Sequence, residues 1–163
     1  MSTKLLTIIG MGPGNGMGIA RRFGREGFTI AMIARRDERL RGYQKKLRQE
    51  KIESYYYLAD VTKPEELRDS LAYIHESLGP TDVLVYNTAA ASQINLLDIS
   101  EKDLANDLQT NVIGAVTAVQ AVKPVMEKAG RGKIFLTGGG FALEPEPAYG
   151  SLSLGKAALR NLA

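Results

Sequence analysis

Five short apolar runs punctuate the chain: LLTIIG at residues 5–10, FTIAMIA at 28–34, SYYYLAD at 54–60, DVLVYN at 82–87 and KIFLT at 133–137. Runs this short and continuous suit strands buried on both faces of a parallel sheet. The segments between them change period. Residues 16–26 carry Ile19, Ala20 and Phe23 on one helical face, and 37–50 carry Leu40, Tyr43 and Leu47. The stretch 63–79 has Leu67, Leu71, Ile74 and Leu78 at helical spacing, Pro64 near its start and Gly79 at its end, the usual punctuation of a helix. Residues 101–128 carry a long stripe of Leu104, Leu108, Val112, Ala115, Val119 and Val122. Pro124 is expected to kink or end that helix. A last helix runs from about residue 151 to Ala163.

Strands alternating with helices argue an α/β domain, a doubly wound parallel sheet with right-handed crossovers. The expected strand order is 3-2-1-4-5, with a ligand crevice between strands one and four. No linker or internal repeat divides residues 1–163, so one domain is expected. Dinucleotide-binding sheets of this kind usually have a sixth strand, and this sequence stops within a helix. The reading is therefore a domain truncated at its carboxyl end, or a sheet whose fifth strand stands close to an edge.

Composition narrows the chemistry. Hydrophobic residues make up 44% and charged residues 24% of the chain, as in ordinary soluble globular proteins. The net charge of +3 is mild, and the cations gather at Arg21–Arg22 and along 34–51. A solvated helix face is the plain reading; a phosphate contact by the first arginines of that stretch is the sharper one. Nucleic acid is not an expected partner. There are no cysteines, which excludes disulfides, thiolate catalysis and cysteine zinc sites. The single histidine, His75, stands beside Glu76 away from every motif and reads as a surface residue. No cluster has metal-ligand spacing. The amino-terminal apolar run is too brief and too broken by glycine for a signal peptide or membrane span, and a cytoplasmic location is the default.

The loop IIGMGPGNGMGIARRF follows the first strand and opens a helix. Gly12, Gly16 and Gly18 let the backbone turn tightly and approach a pyrophosphate, which the helix amino-terminus attracts with free N–H groups and its dipole. Asn15 adds an amide donor to a phosphate or caps the helix, and Met17 lies within the same loop. An acidic residue ending the second strand would hold the ribose 2′-hydroxyl of NAD, whereas arginine suits the 2′-phosphate of NADP. The sequence offers Arg35 and Arg36 there, with Asp37 behind them, so NADP is favoured over NAD. Asp60 and Val61 close the third strand, where an adenine amino group is read; a turn or cap role for Asp60 is the alternative.

At this point the chain resembles the short-chain dehydrogenase/reductase family along its whole length. The resemblance rests on the glycine spacing at 12–18, ADVT at 59–62, VYNTAA at 85–90, TNVIGAV at 110–116, GKIFLTGGG at 132–140 and GKAALRNL at 155–162. It implies a nicotinamide cofactor across the carboxyl ends of strands one and four. Asn87, Thr88 and Ala89 then stand in the cofactor motif after strand four, where the family prefers Asn-Asn-Ala-Gly and this chain reads Tyr86-Asn87-Thr88-Ala89. The resemblance also implies a homodimer or homotetramer formed through the helices around 101–128 and 151–163. Asn111 and Lys156 match two of the family's four catalytic positions, and Lys156 would also hold the nicotinamide ribose hydroxyls. The other two positions are substituted: Gly139, beside Gly138, stands where the family has serine, and Leu152 where it has tyrosine.

The substitution has a chemical cost. Hydride transfer to a carbonyl leaves an alkoxide that needs a proton, and positioned general acids contribute about 10²–10⁴-fold. Leucine donates no proton and glycine offers no hydroxyl. Tyr149 precedes Lys156 by seven residues, two helical turns and roughly 10 Å if the helix were continuous. It reads as a loop aromatic over the core or the mouth of the site. Ser151 and Ser153 are poor acids, and Ser151 suits a helix cap. The functional expectation is an NADP(H)-binding oxidoreductase of unknown substrate; the alternative is a non-catalytic dinucleotide sensor or partner subunit.

Overall fold

The structure, a computed structural model, describes residues 4–163. Its sheet has five strands: β1 (Lys4–Ile9), β2 (Phe28–Ala34), β3 (Ser54–Leu58), β4 (Val83–Tyr86) and β5 (Lys133–Leu136). Their order is β3-β2-β1-β4-β5 and every pairing is parallel. The helices are α1 (Asn15–Arg25), α2 (Asp37–Gln49), α3 (Pro64–Leu78), α4 (Glu101–Leu108), α5 (Gly114–Ala129) and α6 (Gly150–Leu162).

The continuous apolar runs follow from burial on both faces, because successive strand side chains point to opposite sides. Leu5 and Ile9 join Leu67 and Leu71 of α3, Ala118 and Val122 of α5 and Leu159 of α6 in one core cluster. Leu6 and Ile8 point the other way, into Met17 and Ala20 of α1 and Leu40 and Leu47 of α2. The strand-order and fold-class expectations hold. β5 is an edge, and Phe135 on it is 49% exposed.

The long helix departs from expectation. Pro124 lies inside α5, which continues to Ala129. Proline removes one donor, but the carbonyl it strands belongs to exposed Gln120, where water accepts the role. The interruption lies earlier, in a π-helical turn at Gln109–Ile113 between α4 and α5. Such a turn inserts an extra residue and rotates the following face. Asp107, just before this turn, and Asn111, within it, are buried, while Leu104 and Leu108 of the predicted stripe are only partly so. Strand three also ends sooner than predicted. Asp60 and Val61 lie in the turn beyond Leu58, where the Asp60 carboxylate accepts from the Thr62 N–H and hydroxyl.

Candidate functional site

An open cleft of about 510 Å³ lies at the carboxyl ends of β1, β2, β3 and β4. Gly10 ends β1 with φ of +87°, and a side chain there would run into Thr88 and the Asn87 backbone. Only glycine suits both demands. Asn87 crosses the floor: its Nδ2 donates to the Gly10 carbonyl at 3.1 Å, and its Oδ1 accepts from Thr137 Oγ1 at 3.1 Å. The side-chain amide thus ties the ends of β1, β4 and β5 together.

Of the residues singled out from sequence, Arg35, Arg36, Asp60, Val61, Asn87, Thr88 and Ala89 line this cleft. Arg35 and Arg36 leave the end of β2, and both are exposed. Arg35 faces Asp60 at 3.8 Å. Burial pushes the Asp60 carboxyl up, but hydrogen bonds from the Thr62 amide (3.0 Å) and hydroxyl (2.8 Å), with the Arg35 charge, outweigh it and hold the group below its usual range. Arg39 completes the group one turn into α2 and was missed in the sequence, although its spacing from Arg35 and Arg36 on a predicted helix was a usable signal. Among the described residues, ion pairs engage neither Arg36 nor Arg39.

Of the glycine loop, Gly10 and Met11 line the cleft, and Gly12 to Gly18 lie outside its lining. Asn15 is the first residue of α1 and is exposed; Gly14 occupies the cap position, and no side chain caps the helix. The capping alternative for Asn15 is therefore set aside. Met17 points into the core, and its N–H donates to the Gly12 carbonyl at 3.0 Å. The Gly18 N–H likewise donates to the Gly14 carbonyl. Gly12, Gly14 and Gly18 have open space on their Cβ sides.

The far wall is wired differently. The chain after β4 is pinned at alternate residues by the helix opposite. Thr88 Oγ1 donates to the Thr110 carbonyl at 3.5 Å. Asn111 accepts from the Ala90 N–H and donates to the Ala90 carbonyl, both at 2.8 Å. Asp107 Oδ2 accepts from the Ser92 N–H at 3.0 Å. Tyr86, fully buried, donates to the same Thr110 carbonyl at 2.5 Å, and burial pushes its phenol up to about 12. The π-helical turn lets Asp107, Thr110 and Asn111 face one strand of chain together. Asn111 thus spends its side chain on bracing. Polar residues four apart inside an apolar stripe were the sequence signal for Asp107.

Lys156 lies on α6, 7% exposed, and Nζ donates to the Thr137 carbonyl at 2.6 Å. Among the described residues no carboxylate pairs with it, and burial holds its ammonium below the ordinary lysine range. Its side chain runs beneath Gly139, whose added Cβ would meet Lys156 carbons at 3.7–3.8 Å, an ordinary contact. Leu152 sits one turn before Lys156 in α6 and is partly buried. Gly155 is fixed by close approach: a side chain there would strike Asn111. Tyr149 precedes α6, stacks on Phe141 with ring centroids 5.6 Å apart, and accepts a 2.6 Å bond from Gln93 Nε2. Ser151 is buried in the first turn of α6 and donates to Asp107 Oδ2 at 2.6 Å. It is not the helix cap, a position held by Tyr149 without a side-chain bond. Ser153 Oγ accepts from the Glu146 N–H at 3.1 Å. His75 is exposed on α3, and the described residues contain no candidate metal cluster.

Known proteins place this arrangement. A diacetyl reductase, (S)-acetoin forming, of Staphylococcus epidermidis is 27% identical over 133 residues, covering 81% of this chain and 52% of its own length. Among solved structures, a variant of actinorhodin polyketide ketoreductase with NADPH superposes at TM-score 0.94 and 25% identity, covering 98% of this chain and 62% of the other. NAD⁺-bound xylitol dehydrogenase superposes at TM-score 0.92 and 26% identity, with 98% and 62% covered. The chain spans about half the length of the curated relatives it matches. Among the described residues no helix is long and apolar enough to cross a membrane. The short chain dehydrogenase model matches residues 4–163, and on that match this chain belongs to the short-chain dehydrogenase family.

Proposed function

We propose that this chain is the dinucleotide-binding part of an NADP(H)-dependent oxidoreductase. The observation that carries the reading is the group of Arg35, Arg36 and Arg39 around one cleft, with Arg36 and Arg39 outside any ion pair among the described residues. Cations left without protein partners at the end of β2 suit a ribose 2′-phosphate, which they meet with charge-assisted hydrogen bonds. The residues present fit the cofactor. Open space beside Gly12, Gly14 and Gly18 leaves a backbone cradle that a Cβ would fill, and α1 begins without a side-chain cap. In this reading Gly12, Asn15, Gly16, Met17 and Gly18 shape the pyrophosphate cradle. Asp60, Val61, Asn87, Thr88 and Ala89 bound the adenosine and ribose.

A bound nicotinamide would supply hydride. The chain's own residues do the rest. Lys156 holds ribose hydroxyls with the ammonium donors that Thr137 leaves spare. Asn111 is a positioning residue that braces Ala90. The proton for a reduced carbonyl comes from water, from Tyr149 or from the substrate, because Leu152 and Gly139 supply none. Leu152 and Gly139 also favour the second reading, a non-catalytic dinucleotide sensor or partner subunit. Exposed Ile113 (45%) and Leu154 (43%) support self-association through α5 and α6 as a homodimer or homotetramer, and the cytoplasm is the proposed location.

The test is a fluorescence titration of the protein with NADPH and NADH. Tighter NADPH binding is expected. Equal affinities would remove the cofactor assignment, and no binding of either would remove the reading.

A further inference from the structure

We propose that Asp107 is the positioning residue that joins the chain after β4 to the start of α6 on the Lys156 side of the site. The wider role rests on the oxidoreductase reading; the contacts themselves do not. One carboxylate oxygen, Oδ2, accepts from the Ser92 N–H at 3.0 Å and from Ser151 Oγ at 2.6 Å. Ser92 belongs to the chain after β4, and Ser151 to the first turn of α6. Asp107 is 4% exposed, and no ion pair among the described residues balances its charge. A buried carboxylate without a cation is costly unless strong hydrogen bonds hold it, so these two bonds specify the geometry.

What they position lies one and two residues away. Gln93 follows Ser92, Tyr149 precedes Ser151 by two, and Gln93 Nε2 donates to Tyr149 Oη at 2.6 Å. The exposed Gln93–Tyr149 clasp therefore repeats, at the surface, the crossing that Asp107 makes inside. Tyr149 in turn stacks on Phe141, two residues beyond Gly139. An exposed neutral bond alone holds two loops weakly. The buried carboxylate makes the crossing rigid and fixes where the Tyr149 phenol stands relative to the Gly139 and Leu152 positions.

Both donors use the same oxygen, so an amide at this position can accept both bonds, while an apolar side chain accepts neither. This separates positioning from simple filling of the core, since leucine fills the space but leaves the Ser92 N–H and the Ser151 hydroxyl without their acceptor. The experiment labels the full chain with 3-fluorotyrosine and assigns Tyr149 by its loss in Tyr149→Phe. In Asp107→Leu the Tyr149 fluorine resonance is expected to move to the position it takes in Gln93→Ala. In Asp107→Asn it is expected to stay at the unmodified position. Ser151→Ala, which keeps the carboxylate, is expected to give a smaller shift in the same direction and serves if Asp107→Leu fails to fold. An unmoved resonance in Asp107→Leu, or in Ser151→Ala where Leu does not fold, overturns the proposal. So does a resonance in Asp107→Asn displaced as far as in Gln93→Ala. NADPH affinity is measured on the same samples. Its absence would count against the oxidoreductase reading and leave the fluorine result standing.

Discussion

The two walls of the cleft use polar residues in opposite ways. At the β2 side, Arg35, Arg36 and Arg39 are exposed, and among the described residues their one ion-pair partner is Asp60 at 3.8 Å from Arg35. At the β4 side, Asn87, Thr88, Asp107, Asn111, Thr137 and Lys156 all bond to protein. Polar groups left without partners are available to a ligand. Groups spent on backbone carbonyls and amides hold shape, and a ligand gains little by displacing them. The first wall leaves exposed cations for recognition, whereas the second holds its polar groups in a scaffold around Gly139 and Leu152, neither of which carries a hydroxyl.

The sharpest way to break that contrast is to place hydroxyls at positions 139 and 152 of the second wall. Gly139 has an extended backbone (φ −177°) and an ordinary contact distance on its Cβ side, so serine fits there. Gly139→Ser combined with Leu152→Tyr is expected to raise NADPH consumption with a small aldehyde or diketone by about 10²–10⁴-fold, the range for a positioned general acid. Vigorous turnover by the unmodified protein that survives Tyr149→Phe would mean an acid elsewhere, and the contrast between the walls would fail.

The next effect belongs to the first wall. Removing both cations in Arg35→Ala/Arg36→Ala is expected to weaken NADPH binding by about a hundredfold or more, at roughly 1.5–3 kcal/mol for each hydrogen bond to a charged group. NADH affinity should change little. An equal loss for both cofactors, measured by titration, would make the arginines general attractors of charge.

Breaking the internal wiring should act on stability before binding. Tyr86→Phe removes the shorter of the two side-chain donors to the Thr110 carbonyl and leaves the long Thr88 bond. A loss of about 1–2 kcal/mol is expected from one buried hydrogen bond, seen as a lower urea midpoint with an unchanged slope. An unchanged midpoint would mean that the π-helical turn holds itself.

The smallest expected effect is a pH dependence from Lys156. Its folded value lies below the unfolded one because burial disfavours the charge. Below the folded value both states carry the proton and the destabilisation is complete. As pH rises from that value towards the ordinary 10.5, the folded state releases its proton first, and stability rises. Lys156→Met should flatten that part of the profile in thermal melts. A profile that keeps its slope would assign it to other groups.

The sequence by itself determined the sheet. Runs such as LLTIIG and FTIAMIA have no polar alternation because α1 and α2 cover one face and α3, α5 and α6 the other. The placement of Leu152 one helical turn before Lys156 was also legible, since it is a matter of spacing. Tertiary structure decided the rest. Nothing local announces that Leu104 and Leu108 yield the interior to Asp107 and Asn111, or that a π-helical turn follows whose Thr110 carbonyl accepts from Tyr86 and Thr88, at and just beyond the end of a distant strand. Ser151 looks like a helix cap until Asp107, 44 residues away, accepts its hydrogen bond. Period and spacing are properties of neighbours along the chain, so the sequence carries them. The partner of a buried polar atom is chosen by packing between segments far apart in sequence, and only the folded chain specifies it.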